Sequence, residues 1–358
     1  MIPFYTEKAE RIRKQAREFG NWLEGRDPGI EEGKEIFAEV LAELWEKGYY
    51  GYLIPREFGG EGGNLFEQAL ILEELSSKSS SVSLSLLIQS LGIILLSQDQ
   101  DSERRAKLLA QVVNERKLLA FALSEPGIES FETKAEEIEG GYRLSGRKVY
   151  VNQAQEADWI LVLAEFREGL GVLLTKKGSS GILMTKEILR STACGLSWGE
   201  VLFQEVQAGV QELIIRPEDG EKTTEQALSR IAVLVSAMAL GLMEAGIESL
   251  GKDSFSKSPG WERLSGEAWV EIEAGRAICY QAGYSCDKEL PGAGRIALAS
   301  KIFLTDLACR YFSRLLELAG PEGIRADLNL HRWFEFAVML RALLGSNSSL
   351  AENLTGVE

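Results

Sequence analysis

Apolar residues in the first third of the chain recur at helical intervals. Ile12, Ala16, Phe19 and Leu23 fall on one face of a helix, as do Ile36, Val40 and Leu44 in the next segment. Helical patterns resume over residues 66–75, 82–96 and 104–113. Between them lies Pro55-Arg-Glu-Phe-Gly-Gly-Glu-Gly-Gly63, a stretch of conformationally permissive glycine that predicts a turn. Near residue 116 the period changes. Residues 135–138, 142–144, 148–151, 159–164, 171–175, 201–203 and 212–215 are short, rich in β-formers and separated by Gly, Ser or charged turns, which predicts a compact β-barrel or sandwich. Helical spacing returns over 225–250, 261–282, 295–318 and 330–344 and holds to the end. The pattern therefore predicts an α+β chain in three parts. An N-terminal α-helical domain spans 1–115, a central β-domain 116–220, and a C-terminal four-helix domain 221–358.

Length agrees, since 358 residues exceed what one hydrophobic core usually serves. With 45% hydrophobic and 26% charged residues and a mean hydropathy of -0.07, the chain is neither disordered nor collagen-like. The two longest apolar runs, 82–96 and 231–243, fall short of the ~20 residues a bilayer needs, so they predict buried core helices and no membrane segment. Asp and Glu number 54 against 39 Lys and Arg, a formal net charge of -15. That surface repels phosphate backbones, and no basic run offers a local exception, which argues against nucleic acid as a partner.

Four cysteines (Cys194, Cys279, Cys286, Cys309) lack CxxC spacing and His331 is the only histidine. No zinc or other metal site is expected, and the thiols read as buried groups in a reducing cytoplasm. Residues 1–8 carry no apolar leader, so no signal peptide is expected. Any Ser-His or Cys-His chemistry would have to run through His331, which sits at a helix start where a capping role is the simpler expectation. No P-loop is present, and Gly59-Gly-Glu-Gly-Gly63 joins two helical segments, unlike a dinucleotide loop. Glu73-Glu74 and Glu136-Glu137 read as solvated faces.

Local motifs carry the argument further. Gly48-Tyr-Tyr-Gly-Tyr-Leu-Ile-Pro-Arg-Glu-Phe-Gly-Gly60, Glu73-Glu-Leu75, Phe121-Ala-Leu-Ser-Glu-Pro-Gly-Ile-Glu-Ser130, Gly141-Tyr-Arg-Leu-Ser-Gly-Arg-Lys-Val-Tyr-Val-Asn152 and Glu317-Leu-Ala-Gly-Pro-Glu-Gly-Ile324 through Leu343-Leu-Gly-Ser-Asn347 occur in that order. Together they resemble the acyl-CoA dehydrogenase flavoprotein family, whose order of helices, β-domain and helices is the same. The resemblance implies FAD between the β-domain and the C-terminal helices, an acyl-CoA or other acyl thioester as substrate, and assembly as a dimer or tetramer through the last helices. An electron-transfer flavoprotein is a further partner it implies.

It also implies site residues. Phe121, Leu123 and Ser124 match the segment that meets the isoalloxazine edge, and Ser130 a serine near the pyrophosphate. Tyr150 takes the aromatic place on the flavin ring, and Asn152 replaces the usual Thr or Ser. Lys252, Phe255, Glu317 and Gly320 match the segments that reach a neighbouring subunit's FAD. The departures are specific. The family's proton abstractor is the glutamate of "Y-E-G-T", where this chain has Leu344, and a leucine cannot accept a proton. In members that carry the glutamate on the earlier helix, its position matches Ile231, with Glu225 the nearest upstream carboxylate. Lys252 lacks the bidentate fork of the family arginine. Glu317 would set a negative charge near the cofactor's phosphates.

Three readings follow from the resemblance. The chain is an acyl-CoA dehydrogenase whose base has moved, or a partner-dependent, non-catalytic subunit of a hetero-oligomer or a flavin-free scaffold, or a flavin enzyme turned to oxygen chemistry. The dehydrogenase-type Ser124-Glu-Pro126 segment favours the first two.

Overall fold

A computed structural model describes residues 5–31, 36–126, 131–184, 192–252, 257 and 260–355. Helix α1 (Glu7–Glu24) starts at Thr6, whose hydroxyl accepts the Ala9 N–H at 3.3 Å, and it buries Ala9, Ile12, Ala16, Phe19 and Leu23 along one face. Two shorter helices, α2 (Asp27–Glu31) and α3 (Ile36–Glu46), lead to the glycine-rich turn. Helices α4 (Leu65–Ser76) and α5 (Ser80–Leu96) are buried on every side, and α6 (Ser102–Asn114) closes the helical layer. Asn64 and Glu67 form a reciprocal capping box at the start of α4. The Asp287 carboxylate, from the far end of the chain, accepts the free N–H groups of Leu65 and Phe66 at 2.8 and 2.9 Å.

Eight strands follow: β1 (Leu119–Ala122), β2 (Lys134–Ile138), β3 (Gly141–Asn152), β4 (Trp159–Phe166), β5 (Gly169–Lys176), β6 (Ile182–Met184), β7 (Trp198–Gly209) and β8 (Leu213–Ile215). They form one mixed sheet in the order β6-β7-β3-β2-β4-β5-β8, with β1 parallel to β4. Alternation sorts the side chains. Leu119, Phe121, Trp159 and Leu161 join the helical core, while Ala120, Ala122, Ile160 and Val162 pack in a second core contributed by the β-domain alone. Among the described residues no helix contributes to that second core, and the β-domain is one mixed sheet. Two expectations change. Segments 142–144 and 148–151 are one strand, β3, interrupted by register shifts, and β1 and β6 are additional strands.

The C-terminal helices are α7 (Gly220–Lys252), α8 (Trp261–Asp287), α9 (Ala293–Ala319), α10 (Leu330–Ala342) and a short α11 (Asn347–Thr355). A Cβ at Gly241 would lie 1.9 Å from the Glu73 carbonyl oxygen, so glycine is what lets α7 cross α4 so closely. By length and apolar composition α7 could span a bilayer, contrary to the short-run expectation, yet most of that apolar stretch is buried inside the protein. The helix expected over 330–344 stops at Ala342, because Leu344 and Gly345 adopt φ values of 66° and 105°. His331 does not cap α10, whose N-cap is Asn329, and among the described residues its buried Nδ1 has no hydrogen-bond partner. Glu73 and Glu74 are not a solvated face. Both are buried, and Arg13, Arg17 and Arg276 pair with them. Cys279 and Cys286 are buried thiols, whereas Cys194 and Cys309 are only half-buried.

Candidate functional site

The edge of the sheet where β1 ends beside β3 is built by a bulge. Lys148 pairs with Val201, but the next paired residue, Val151, faces Gly199, so β3 carries one extra residue there. The extra residue forces Tyr150 to a φ of 56° and turns its ring outward, leaving it 58% exposed. Lys148 holds the bulge against the chain that leaves β1. Its fully buried amine donates to the Leu123 carbonyl at 3.0 Å and pairs with Glu125, while the Val149 N–H donates to the Ser124 carbonyl at 2.9 Å. Burial pulls the Lys148 amine below its usual range, and Glu125 works against that pull.

Beyond the bulge, Asn152 donates from Nδ2 to the Tyr150 carbonyl at 2.9 Å. Among the described residues its Oδ1 is buried and has no partner. A buried amide oxygen left unpaired costs about 1–3 kcal/mol, so this acceptor calls for a donor from outside the described residues, which a bound ligand can supply. An exposed aromatic ring, the exposed Ser124 and a lone acceptor at one strand edge suit a planar ring carrying an N–H. This is the fit expected of an isoalloxazine.

A cleft of about 1160 Å³ opens where the first turns of α7 face the α8–α9 connection and α11. Leu228, Leu290, Leu298, Leu344, Leu350 and Leu354 give it an apolar wall, and Lys222, Arg230 and Arg295 give it cations. Among the described residues none of these three cations forms an ion pair. Glu225, Glu289 and Glu352 line the cleft as well, so it presents charges of both signs beside its leucine wall. Glu225 and Leu344 both line this cleft.

The turn bearing Leu344 is clamped from below. Lys301, fully buried, donates from Nζ to the Arg341 carbonyl at 2.8 Å, to the Gly345 carbonyl at 3.2 Å and to Asn347 Oδ1 at 2.8 Å. Asn347 in turn donates to Thr305 Oγ1 at 2.9 Å and to Asp306 at 2.8 Å. Burial lowers the Lys301 amine to about 8, against the favourable pull of Asp306.

Comparison with known proteins places this architecture. The profile "Acyl-CoA dehydrogenase, N-terminal domain" matches residues 6–116, and "Acyl-CoA dehydrogenase, C-terminal domain" matches residues 218–355, on either side of most of the sheet. The chain belongs to the acyl-CoA dehydrogenase family. It is thus a member of a family of flavoprotein oxidoreductases. A 3-(aryl)acrylate reductase of Clostridium sporogenes (strain ATCC 15579) is 25% identical, with 92% of this chain aligned to 93% of that one. A cyclohexane-1-carbonyl-CoA dehydrogenase of Geobacter metallireducens is 26% identical, covering 94% of this chain and 93% of the relative. The solved butyryl-CoA dehydrogenase of Megasphaera elsdenii shares the fold, with a TM-score of 0.90, 22% identity and 99% of each chain covered.

Against the acyl-CoA dehydrogenase pattern, the expected residues divide into two groups. Phe121, Leu123, Ser124, Tyr150 and Asn152 do come together, at the end of β1 and the bulge of β3. Lys252 ends α7 and is ion-paired with Glu248 at 2.7 Å and Glu24 at 3.5 Å. Glu317 and Gly320 lie exposed at the end of α9, and Ser249 Oγ of α7 donates to the Leu328 carbonyl in the chain beyond it at 3.0 Å. No hydrogen bond links the two groups among the described residues. Ser130 and Phe255 lie outside the described residues. Ile231 is fully buried in α7, whereas Glu225 is exposed in the cleft.

Sequence reasoning passed over Lys148, Lys301 and the three cleft cations. Lys301 did leave a signal, as a lysine between Ser300 and Ile302 in an otherwise apolar helical run. The cleft cations left none, because they come from separate turns of the chain.

Proposed function

We propose that this chain is a flavin-dependent oxidoreductase that holds FAD against the β3 bulge and an acyl thioester of CoA in the cleft. The observation that carries the reading is the buried Asn152 Oδ1, unpartnered among the described residues, on the bulge that exposes Tyr150 and is bonded through Val149 to exposed Ser124. Bound there, FAD supplies a two-electron, hydride-accepting centre. Ser124 and Asn152 hydrogen-bond its ring edge, and Tyr150 covers the ring. Ser130, Lys252, Phe255, Glu317 and Gly320 are assigned, by family position, to the more distant parts of a cofactor, including one bound by a neighbouring subunit. Lys222, Arg230 and Arg295 bind the phosphates of the thioester, and the leucine wall receives apolar parts of the ligand and excludes water. An electron-transfer flavoprotein is the acceptor this reading implies, and the cytoplasm its setting.

Leu344 sets the limit of the chemistry. It cannot remove a proton, so that step falls to one of the carboxylates lining the cleft, Glu225, Glu289 or Glu352, of which Glu225 is the nearest one upstream of the alternative base position on α7. A second reading has support of its own. Leu344 stands at the base position, and Lys252 is engaged by Glu24 and Glu248, which suits a subunit that completes an oligomer with a catalytic partner.

The test is the visible spectrum of the chain expressed alone, followed by anaerobic titration with acyl-CoA thioesters. One FAD per chain, with bleaching on titration that Glu225→Gln abolishes, supports the first reading. FAD retained only after co-expression with a paralogue supports the second. A colourless protein that takes up no added FAD under any condition removes both.

A further inference from the structure

A chain of buried hydrogen bonds reaches the cofactor edge from the other side of the protein. Tyr50, fully buried in the turn before Gly51, donates its phenolic O–H to Ser85 Oγ on α5 at 2.5 Å. Ser85 donates to Gln153 Oε1 at 2.7 Å, and Gln153 Nε2 donates to the Leu119 carbonyl at the start of β1 at 2.6 Å. The Gln153 N–H donates to the Ser197 carbonyl at 2.7 Å. A second buried amide completes the hold on β1, because Gln89 Oε1 accepts the Leu119 N–H at 3.0 Å. Gln153 follows Asn152 directly and itself sits at a φ of 47°, a backbone state that persists only where surrounding bonds fix it.

From this geometry we infer that Gln153, oriented through Ser85 by Tyr50, is a positioning residue for the cofactor edge. Lys148 pins the near end of the β3 bulge, and Gln153 pins the far end and ties it to β1. The two strands that carry Tyr150, Asn152 and Ser124 are thereby locked in one register, with Asn152 Oδ1 left free for a ligand. The inference rests on the flavin reading above.

The test compares the full-length chain with Gln153→Leu and with Tyr50→Phe, which removes one oxygen and keeps the ring packing. Ser236→Ala, which deletes a buried hydroxyl in the α7–α9 contact, is the control for stability alone. FAD affinity is read by quenching of flavin fluorescence, and ring environment by the resolved shoulder of the visible band. Gln153→Leu should weaken FAD binding about tenfold or more and blur the shoulder, and Tyr50→Phe should weaken it by about two- to tenfold, the scale of one buried hydrogen bond. Ser236→Ala should lower the melting temperature and leave both readouts alone. If the wild-type chain binds FAD and Tyr50→Phe and Gln153→Leu bind it equally well with an unchanged band, the inference is overturned and the flavin reading stands. A wild-type chain that binds no FAD overturns both.

Discussion

Lys301 Nζ stands 3.2 Å from the carbonyl oxygen of Gly345, and that contact fixes the turn on which Leu344 is presented to the cleft. A leucine at a φ of 66° is unfavourable by roughly 1–2 kcal/mol, so the turn needs the three acceptors that Lys301 gathers. The amine's ordinary value of 10.5 falls to about 8 in the folded chain, because burial disfavours its charge. The folded state thus binds fewer protons than the unfolded state between those values, and stability from this group grows as pH rises from 8 toward 10.5. Lys301→Met lacks that dependence. The stability difference between wild type and variant, measured by urea unfolding, should therefore shift toward the wild type by about 3 kcal/mol over that range. A difference that stays flat with pH would show that the amine is not desolvated.

Leu344→Glu would place a carboxylate where motif likeness sets the family's base, while keeping the clamp beneath it. If FAD and thioester bind as proposed, this variant should bleach the flavin with acyl-CoA at least about a hundredfold faster than wild type, the low end of what a positioned general base contributes. Stopped-flow absorbance under anaerobic conditions measures this. No gain in rate, with FAD content unchanged, would mean that Leu344 is not the only departure that silences the site.

Much of the fold was legible because it is written in periods. The change from helical to strand spacing near residue 116 and back again near 220 follows from which faces must be buried, and every long helix was visible that way. Ser124, Tyr150 and Asn152 were legible only through motif likeness, yet they do meet at one edge. What the sequence concealed depends on long-range placement. Glu73 and Glu74 read as surface until Arg13 and Arg276, each on a separate helix, arrive beside them. The bulge at Tyr150 looks like ordinary strand alternation, since only the partner strand reveals the extra residue. Leu344 reads as helix because its neighbours do, and the clamp that bends it comes from another helix altogether.

Asp27 gives a second pH signature. It is buried beside Glu31, with Arg332 at 3.7 Å and Ser79 as its other polar neighbours, and burial together with Glu31 pushes its carboxyl up to about 6. Its folded value lies above the unfolded 3.8, so its contribution is fully present below 3.8 and is lost as pH rises through 6. Asp27→Asn should therefore be more stable at pH 7.5 than at pH 4 relative to wild type, by about 2–3 kcal/mol. Thermal melts of both proteins across that range decide it. An equal offset at both ends would show that Asp27 titrates normally.

The last prediction concerns the ion cluster at the centre of the helical layers. Glu73 is fully buried, and it accepts from Arg13 at 2.8 Å, from Arg276 at 2.7 Å and from the Tyr280 hydroxyl at 2.6 Å. These donors come from α1 and α8, so one carboxylate on α4 joins the first helix of the chain to the C-terminal bundle. Arg276 also pairs with Glu244 on α7. Removing a single cation leaves the remaining acids short of charge in a dry site, which is costlier than never having buried the pair. Arg276→Met should thus cost about 3 kcal/mol in urea unfolding, and Tyr280→Phe, which deletes one hydrogen bond to a charged group, about 2 kcal/mol. Because both act on Glu73, their losses should not add, and a double-mutant cycle should return a coupling of about 1 kcal/mol or more. Additive losses would mean that each residue contributes through its own packing and that Glu73 is not the hub of the cluster.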